Sequence, residues 1–267
     1  YNPFYWHIMF NSDKAPFNDV RMRKAVALVV EPEAVVTGMN QALGSAYGGG
    51  WFPQGMGMEE YSPAQLRTQK YFRAPTAEDV AEAKALLAEA GYPEGATLPK
   101  IDFPGRNNAI NTTVNEIVQA MLLQHLGWES EIRLVDVGTW RETKASGDFH
   151  MGLNNALYTV PVPEVFMLDI VGSCDGVPCS TNLGKFQDSQ VDELFAKLKN
   201  AAPADKYGIS VELGDRLDET IPYMPMTQAG TMQMWWHPHV KGFAPNGSSW
   251  SGFYETVTRW DHVWLDK

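Results

Sequence analysis

Long apolar runs are missing from this 267-residue sequence, so no segment is predicted to span a bilayer. Positive charge is scarce too: 21 Lys and Arg residues against 32 Asp and Glu residues give a net charge of -11. A general nucleic-acid binder needs a basic face, so we expect no nucleic-acid partner. The hydrophobic content of 44% and the charged content of 20% are ordinary for a globular protein.

Familiar catalytic signatures are absent as well. The sequence contains no G-x-S-x-G, no H-E-x-x-H and no phosphate-binding loop. Acidic pairs such as Glu59–Glu60 and Asp218–Glu219 are typical of a solvated surface. A glycosidase would need two carboxylates about 5–10 Å apart across a cleft, which no sequence pattern here indicates. We therefore predict a protein that is not an enzyme and that needs no cofactor.

One helix is predicted with both of its ends, in segment 76–95. Thr76 is a good N-cap, and Asp79 stands where a capping box needs an acid. Gly91 suits the left-handed residue that ends a helix, and Pro93 prevents continuation. The apolar residues between them recur at helical spacing: Val80, Ala83, Leu87 and Ala90.

Helices and strands are predicted to alternate along most of the chain, which favours an α/β fold with a largely parallel or mixed sheet. Two further helices are predicted to start at capping boxes, Thr113 with Glu116 and Thr139 with Glu142. Segment 40–71 is predicted to be a long loop, because it is rich in glycine and proline. Other helices are predicted at 18–30, 188–200 and 205–220, and strands at 5–10, 100–103, 128–135, 149–154, 223–236 and 240–243.

Segment 11–36, NSDKAPFNDVRMRKAVALVVEPEAVV, carries a second and more specific pattern. Together with AKALLAEAGYPEG at 83–95, it resembles the extracellular solute-binding proteins of family 5, the dipeptide-, oligopeptide- and nickel-binding proteins that serve ABC importers. Later segments resemble the same family: 147–149, 181–182, 191–194 and 240–243. The resemblance therefore spans nearly all of the chain.

The resemblance implies a fold of two lobes that close around a solute like a hinge. Residues 1–222 are expected to form the second lobe, with the first crossover between lobes at its start. Residues 223–267 are expected to hold the return crossover and a C-terminal segment of the first lobe. The chain shows neither an initiator Met nor a signal peptide, so we expect the C-terminal part of a longer, exported precursor.

The function that the resemblance implies is solute capture outside the cytoplasm, in the periplasm or at the cell exterior, with a lipid anchor as one option for the full-length form. The expected ligand is an oligosaccharide or an oligopeptide, delivered to the membrane permease of an ABC importer. A secreted hydrolase acting on sugars or peptides is the alternative from another class. A binding module for signalling or adhesion is a third.

Four aromatic residues are candidates for ligand stacking. Trp140 matches a place where peptide-binding relatives have a cavity-lining aromatic. Trp51 and Phe52 lie in the glycine-rich loop, and Trp235 lies on a predicted strand where one of two adjacent tryptophans would face the cleft. Packing in the core is the competing interpretation for each of them.

Segment 154–161 follows a predicted strand end, where α/β proteins place ligand contacts. Asn154, Asn155, Tyr158 and Thr159 are therefore predicted to bind the ligand. In peptide-binding relatives this segment carries an aspartate for the α-ammonium of the peptide; here Thr159 or a neighbour stands there instead. Adjacent amides and aromatics favour a neutral polyol, whereas turn capping is the structural alternative for the asparagines.

The only two cysteines, Cys174 and Cys179, flank a turn-forming DGVP segment. In an exported protein this spacing favours a small disulfide loop, with free thiols and a metal site as alternatives. His237 and His239 form a weak candidate metal pair, because a proline separates them and no acidic or thiol ligand lies nearby. We therefore predict no metal site.

Overall fold

The computed structural model describes residues 4–43, 50–52, 62–157, 163–228, 240–241 and 264–265. The helices are α1 (Val20–Val29), α2 (Pro32–Leu43), α3 (Pro63–Leu66), α4 (Ala77–Glu89), α5 (Ala109–Leu126), α6 (Val137–Ser146), α7 (Pro163–Val171), α8 (Ser189–Asn200) and α9 (Lys206–Thr220). The strands are β1 (Phe4–Phe10), β2 (Ile101–Arg106), β3 (Ser130–Val135), β4 (Met151–Leu157), β5 (Ser173–Cys174), β6 (Val177–Pro178), β7 (Tyr223–Gln228), β8 (Val240–Lys241) and β9 (Trp264–Leu265).

Strand β1 is the centre of a three-stranded antiparallel sheet in the order β4–β1–β7. His7 pairs with Asn154 on one side and with Pro225 on the other. Since side chains alternate along a strand, each face of this sheet collects a different set. One face buries Ile8, Phe10 and the residues beside them in the main hydrophobic core.

Strands β2 and β3 form a separate parallel pair, connected through helix α5. The backbone N–H of His150, just before β4, donates to the Asp102 carbonyl of β2 over 3.1 Å, which brings the two sheets side by side. The predicted α/β class is confirmed. Parallel pairing is limited to β2–β3 among the described strands, and all other described pairings are antiparallel, so the strands are not largely parallel.

A helix begins where it is predicted to begin when the sequence analysis identifies the correct capping residue. The capping box of Thr76 and Asp79 is present as predicted. The predicted box at Thr113 is wrong, because Asn108 caps α5 one turn earlier. The predicted box at Thr139 is also wrong: Asp136 accepts hydrogen bonds from the N–H groups of residues 138 and 139 and starts α6 there. An Asx side chain upstream of each predicted start takes over the cap.

Arg23 is a charged side chain inside the core, 6% exposed. Its guanidinium donates to the carbonyls of Phe17, Thr220 and Ile221 at 2.6–3.1 Å. These bonds connect α1 to the end of α9, immediately before β7. Burial lowers the pKa of Arg23 to about 10, which still leaves it charged at neutral pH, and Asp19 opposes the shift. In the described part of the chain, no helix is long and apolar enough to cross a membrane.

Candidate functional site

A polar pocket of about 350 Å³ lies over the second face of the three-stranded sheet. Because residues of one parity share a face, His7 and Met9 of β1, Asn154 of β4 and Tyr223 of β7 come together there. Lys144 of α6 also lines the pocket. The end of α7 and the loop after β6 complete the lining, with Asp169, Ile170, Ser180, Thr181, Leu183 and Gly184.

Lys144 is the cation of this pocket. Its Nζ donates to Oδ1 of Asn154 over 2.8 Å and lies 5.4 Å from the ring centre of Trp140, one helical turn earlier. Burial, followed by the positive charges of Arg106 and Arg141, lowers the pKa of Lys144 to about 8. The ammonium is therefore mostly protonated at neutral pH, in a positive local field, although the protein as a whole is acidic.

His7 is a buried polar group at the floor of the pocket, 2% exposed. Its ring stands edge-on to Tyr223, with the ring centres 5.3 Å apart. Burial lowers the pKa of His7 to about 3; the Tyr5 backbone opposes this shift and the Lys144 charge adds to it. Within the described residues, Nδ1 of His7 has no hydrogen-bond partner of acceptable geometry. A neutral imidazole with an unused nitrogen therefore lines the pocket.

The part of the pocket wall that contains Asp169 and Thr181 lies next to a disulfide in the chain. Cys174 and Cys179 are bonded to each other and close the short β5–β6 hairpin, which confirms the predicted pairing. Just before the hairpin, Asp169 accepts a hydrogen bond from the Thr181 hydroxyl over 3.0 Å. Just after it, the buried Asn182 side chain donates to the carbonyls of residues 172 and 186. Thr181 and Asp169 are thus presented to the pocket by two chain segments that the disulfide joins.

Trp140, Trp51 and Phe52, predicted to contact the ligand, are buried at 2%, 3% and 2% exposure. Trp140 packs on Met9 and Phe149 behind the pocket, and Lys144 lies above its ring. Trp51 supports Tyr223 from behind: its backbone carbonyl accepts from the tyrosine hydroxyl over 2.9 Å. None of the three is among the residues that line the pocket; Trp140 and Trp51 contact lining residues from behind.

Asn154 and Asn155 do line the pocket, where the sequence placed ligand contacts. Tyr158, Thr159 and Trp235 lie outside the described residues, as do His237 and His239. Sequence reasoning missed His7, Lys144 and Asp169. Of these three, only Lys144 could have been found from the sequence, because it stands four residues after Trp140 and so lies on the same face of the predicted helix. Among the described residues, no cluster of three His, Cys, Asp or Glu side chains could hold a metal ion.

An α/β domain with a polar pocket over one face of its sheet is typical of a binding protein. Its fold matches solved periplasmic binding proteins, for example the Escherichia coli murein tripeptide binding protein MppA, with a TM-score of 0.77 and 20% identity over 100% of this chain and 49% of that one. The model of bacterial extracellular solute-binding proteins, family 5 middle, matches residues 2–176. The chain belongs to this family.

Curated proteins of similar sequence are also named as binding proteins, at 23% and 24% identity. Heme-binding protein A of Haemophilus influenzae is 23% identical over 254 residues, covering 93% of this chain and 43% of the relative. The periplasmic oligopeptide-binding protein OppA of Salmonella typhimurium is 24% identical over 230 residues, covering 84% of this chain and 39% of the relative. This chain thus spans less than half the length of the relatives that it matches.

Proposed function

We propose that this chain forms one wall of the binding cleft of an extracytoplasmic solute-binding protein that serves an ABC importer. Residues 1–222 would form one lobe with the first crossover, and residues 223–267 the return crossover and a segment of the other lobe. The polar pocket over β1, β4 and β7 carries this proposal, because the two strands that would cross between lobes, β1 and β7, both line it. A cleft at such a hinge can change shape when the lobes close.

The mechanism is capture without chemistry. Polar groups of the pocket hold the solute, and closure of the second lobe completes the contacts and excludes water. The closed form then presents the solute to the permease. The two candidate solutes remain the oligopeptide and the oligosaccharide. The peptide is favoured by relatives named for binding an oligopeptide and a murein tripeptide, and by the opposite charges of Lys144 and Asp169, which both line the pocket.

The test uses the complete protein that contains this chain, screened by thermal shift against di- and tripeptides and neutral oligosaccharides. We expect one class to raise the Tm, with affinity then measured by calorimetry. Asn154→Ala should weaken binding, whereas the exposed Asn18→Ala should leave it unchanged. This chain alone should bind the same solute much more weakly, since it supplies only part of the contacts. Equal affinity of the two forms would contradict the two-lobed mechanism.

The hydrolase alternative differs in one measurable respect. A hydrolase converts its peptide or sugar into products, whereas a binding protein returns the bound solute unchanged. Mass spectrometry of the solute after prolonged incubation with the complete protein separates them. Turnover that disappears in a variant of a pocket residue such as Asp169→Asn would replace the proposal with the enzyme.

A further inference from the structure

We propose that Lys144, Asn154 and His7 form a subsite for a carboxylate group of the captured solute. The inference rests on the proposed function and names the chemistry that the same pocket selects. It replaces the expectation of a neutral solute, which followed from the missing acid near Thr159.

Lys144 has the position of a ligand-binding cation rather than that of an ordinary surface lysine. Its ammonium is half-buried on the pocket wall and donates a hydrogen bond to the neutral amide oxygen of Asn154. No acidic side chain in the described ranges forms an ion pair with it. The charges that act on it, Arg106 and Arg141, are positive as well. A partly desolvated cation for which the described residues supply no ion pair gains most from an anion.

His7 adds a donor beside this cation. It pairs with Asn154 across the sheet, so both side chains leave the same face at neighbouring positions. The imidazole is almost fully buried, lines the pocket, and has an Nδ1 with no adequate partner among the described residues. Buried polar atoms are normally hydrogen-bonded, and an unpaired one at a pocket calls for a ligand atom or a water. A neutral imidazole can donate its N–H to a carboxylate oxygen without adding a second buried charge.

Asn154 fixes the geometry between the two donors. Its Oδ1 accepts from Lys144, which directs the ammonium over the β1–β4 face and leaves two ammonium hydrogens for other acceptors. The Nζ of Lys144 also lies over the ring of Trp140, 5.4 Å from the ring centre. A carboxylate placed above this face can therefore accept charge-assisted bonds from Lys144 and a neutral bond from His7.

Asp169, which lines the same pocket, limits which acids fit. Its carboxylate repels a second acidic group, while it suits an amine or a hydroxyl at the other end of the solute. Two sources offer the carboxylate: the C-terminus of a peptide, or a sugar acid. Both meet Lys144 by the same chemistry, so the experiment includes one matched pair of each.

The probes are an N-acetyl tripeptide pool with free C-termini against the same pool with C-terminal amides, and a uronic-acid disaccharide against its neutral counterpart. Calorimetry uses the complete protein. We expect the acid of one pair to bind roughly 10- to 100-fold more tightly than its neutral partner, the range for a charge-assisted hydrogen bond. Lys144→Met should remove that preference, and the exposed Lys197→Met is the matched control. The pair that shows the preference identifies the source of the carboxylate.

The pH dependence supplies a second measurement on the unmodified protein. Affinity for the acetylated acid should fall as the pH rises above 8, because the ammonium of Lys144 is lost, by at most about tenfold per pH unit. The other charged groups at or around this pocket are Arg106, Arg141 and Asp169, and His7 is already neutral in this range. Lys144→Met should bind independently of pH.

Equal affinity for acid and neutral partners, or a preference that survives Lys144→Met, would overturn the subsite while leaving solute capture intact. If no probe and no solute of the wider screen binds the complete protein, solute capture fails and the subsite fails with it. Lys144→Gln serves where the methionine variant does not fold, judged by its circular dichroism. These outcomes separate the two proposals.

Discussion

The indole of Trp140 fills the space that a side chain at Gly152 would occupy: a Cβ built there would lie 2.7 Å from Cη2 of the ring. This contact joins α6 to β4 behind the pocket and sets the height of Lys144 above the sheet. Gly152 does not adopt a left-handed backbone conformation. A glycine is needed here because the indole lies too close to leave room for a Cβ atom.

Gly152→Ala should therefore lower the free energy of unfolding by about 1–3 kcal/mol, the usual cost of overpacking a core. Gly208→Ala is the matched control, because nothing lies within 4 Å of its Cβ position and it stands inside helix α9. That control should raise stability by about 0.5–1 kcal/mol. Urea denaturation gives the change in the free energy of unfolding for each variant. Equal changes in the two variants would contradict the role of the Trp140 contact.

His7 should make stability sensitive to acid. The pKa of His7 is about 3 in the folded protein and near 6.5 in the unfolded chain. Between these two pH values the unfolded chain binds a proton at His7 and the folded protein does not. The stabilising effect is complete above pH 6.5 and is lost as the pH falls towards 3, at up to about 1.4 kcal/mol per pH unit. His7→Gln should flatten this slope between pH 6 and 4 in urea titrations. His125→Gln is the comparison, and an unchanged slope in His7→Gln would contradict the assignment.

The Cys174–Cys179 disulfide should matter more to the pocket than to the fold. A loop this short constrains the unfolded chain little, so Cys174→Ala with Cys179→Ala should cost about 2 kcal/mol of stability. Solute affinity should fall as well, because Asp169 and Thr181 flank the hairpin. Calorimetry on the complete protein, with and without reductant, measures this. Unchanged affinity would show that the bonds of Asn182 suffice to hold the wall.

Arg23→Met should be the most destabilising of these changes, by about 3 kcal/mol or more. The substitution leaves the carbonyls of Phe17, Thr220 and Ile221 buried without their donor. Arg21→Met removes an arginine from the same helix at a half-exposed position, so we expect a much smaller loss. Similar losses in the two variants would show that the buried bonds contribute no more than a surface pair.

Structures whose sequence signals lie within one short segment were predicted best. The α4 helix was predicted because its cap, stripe and stop lie within twenty residues. The sheet order was not, since β1 pairs with strands about 150 and 220 residues away and no local pattern records such a pairing. Trp140 was identified, but a sequence cannot tell whether an indole faces a ligand or supports the lysine that does. His7 was missed because its role depends on the strand beside it.

The order β4–β1–β7 also has a consequence for the order of folding. Strand β1 keeps the edges that pair with β4 and β7 free until residues 151–157 and then 223–228 have been synthesised. Contacts of such high sequence separation form slowly, and unpaired edges are open to wrong partners meanwhile. The sheet face that bears the pocket is thus completed late, after helices α1 to α9 have all been made.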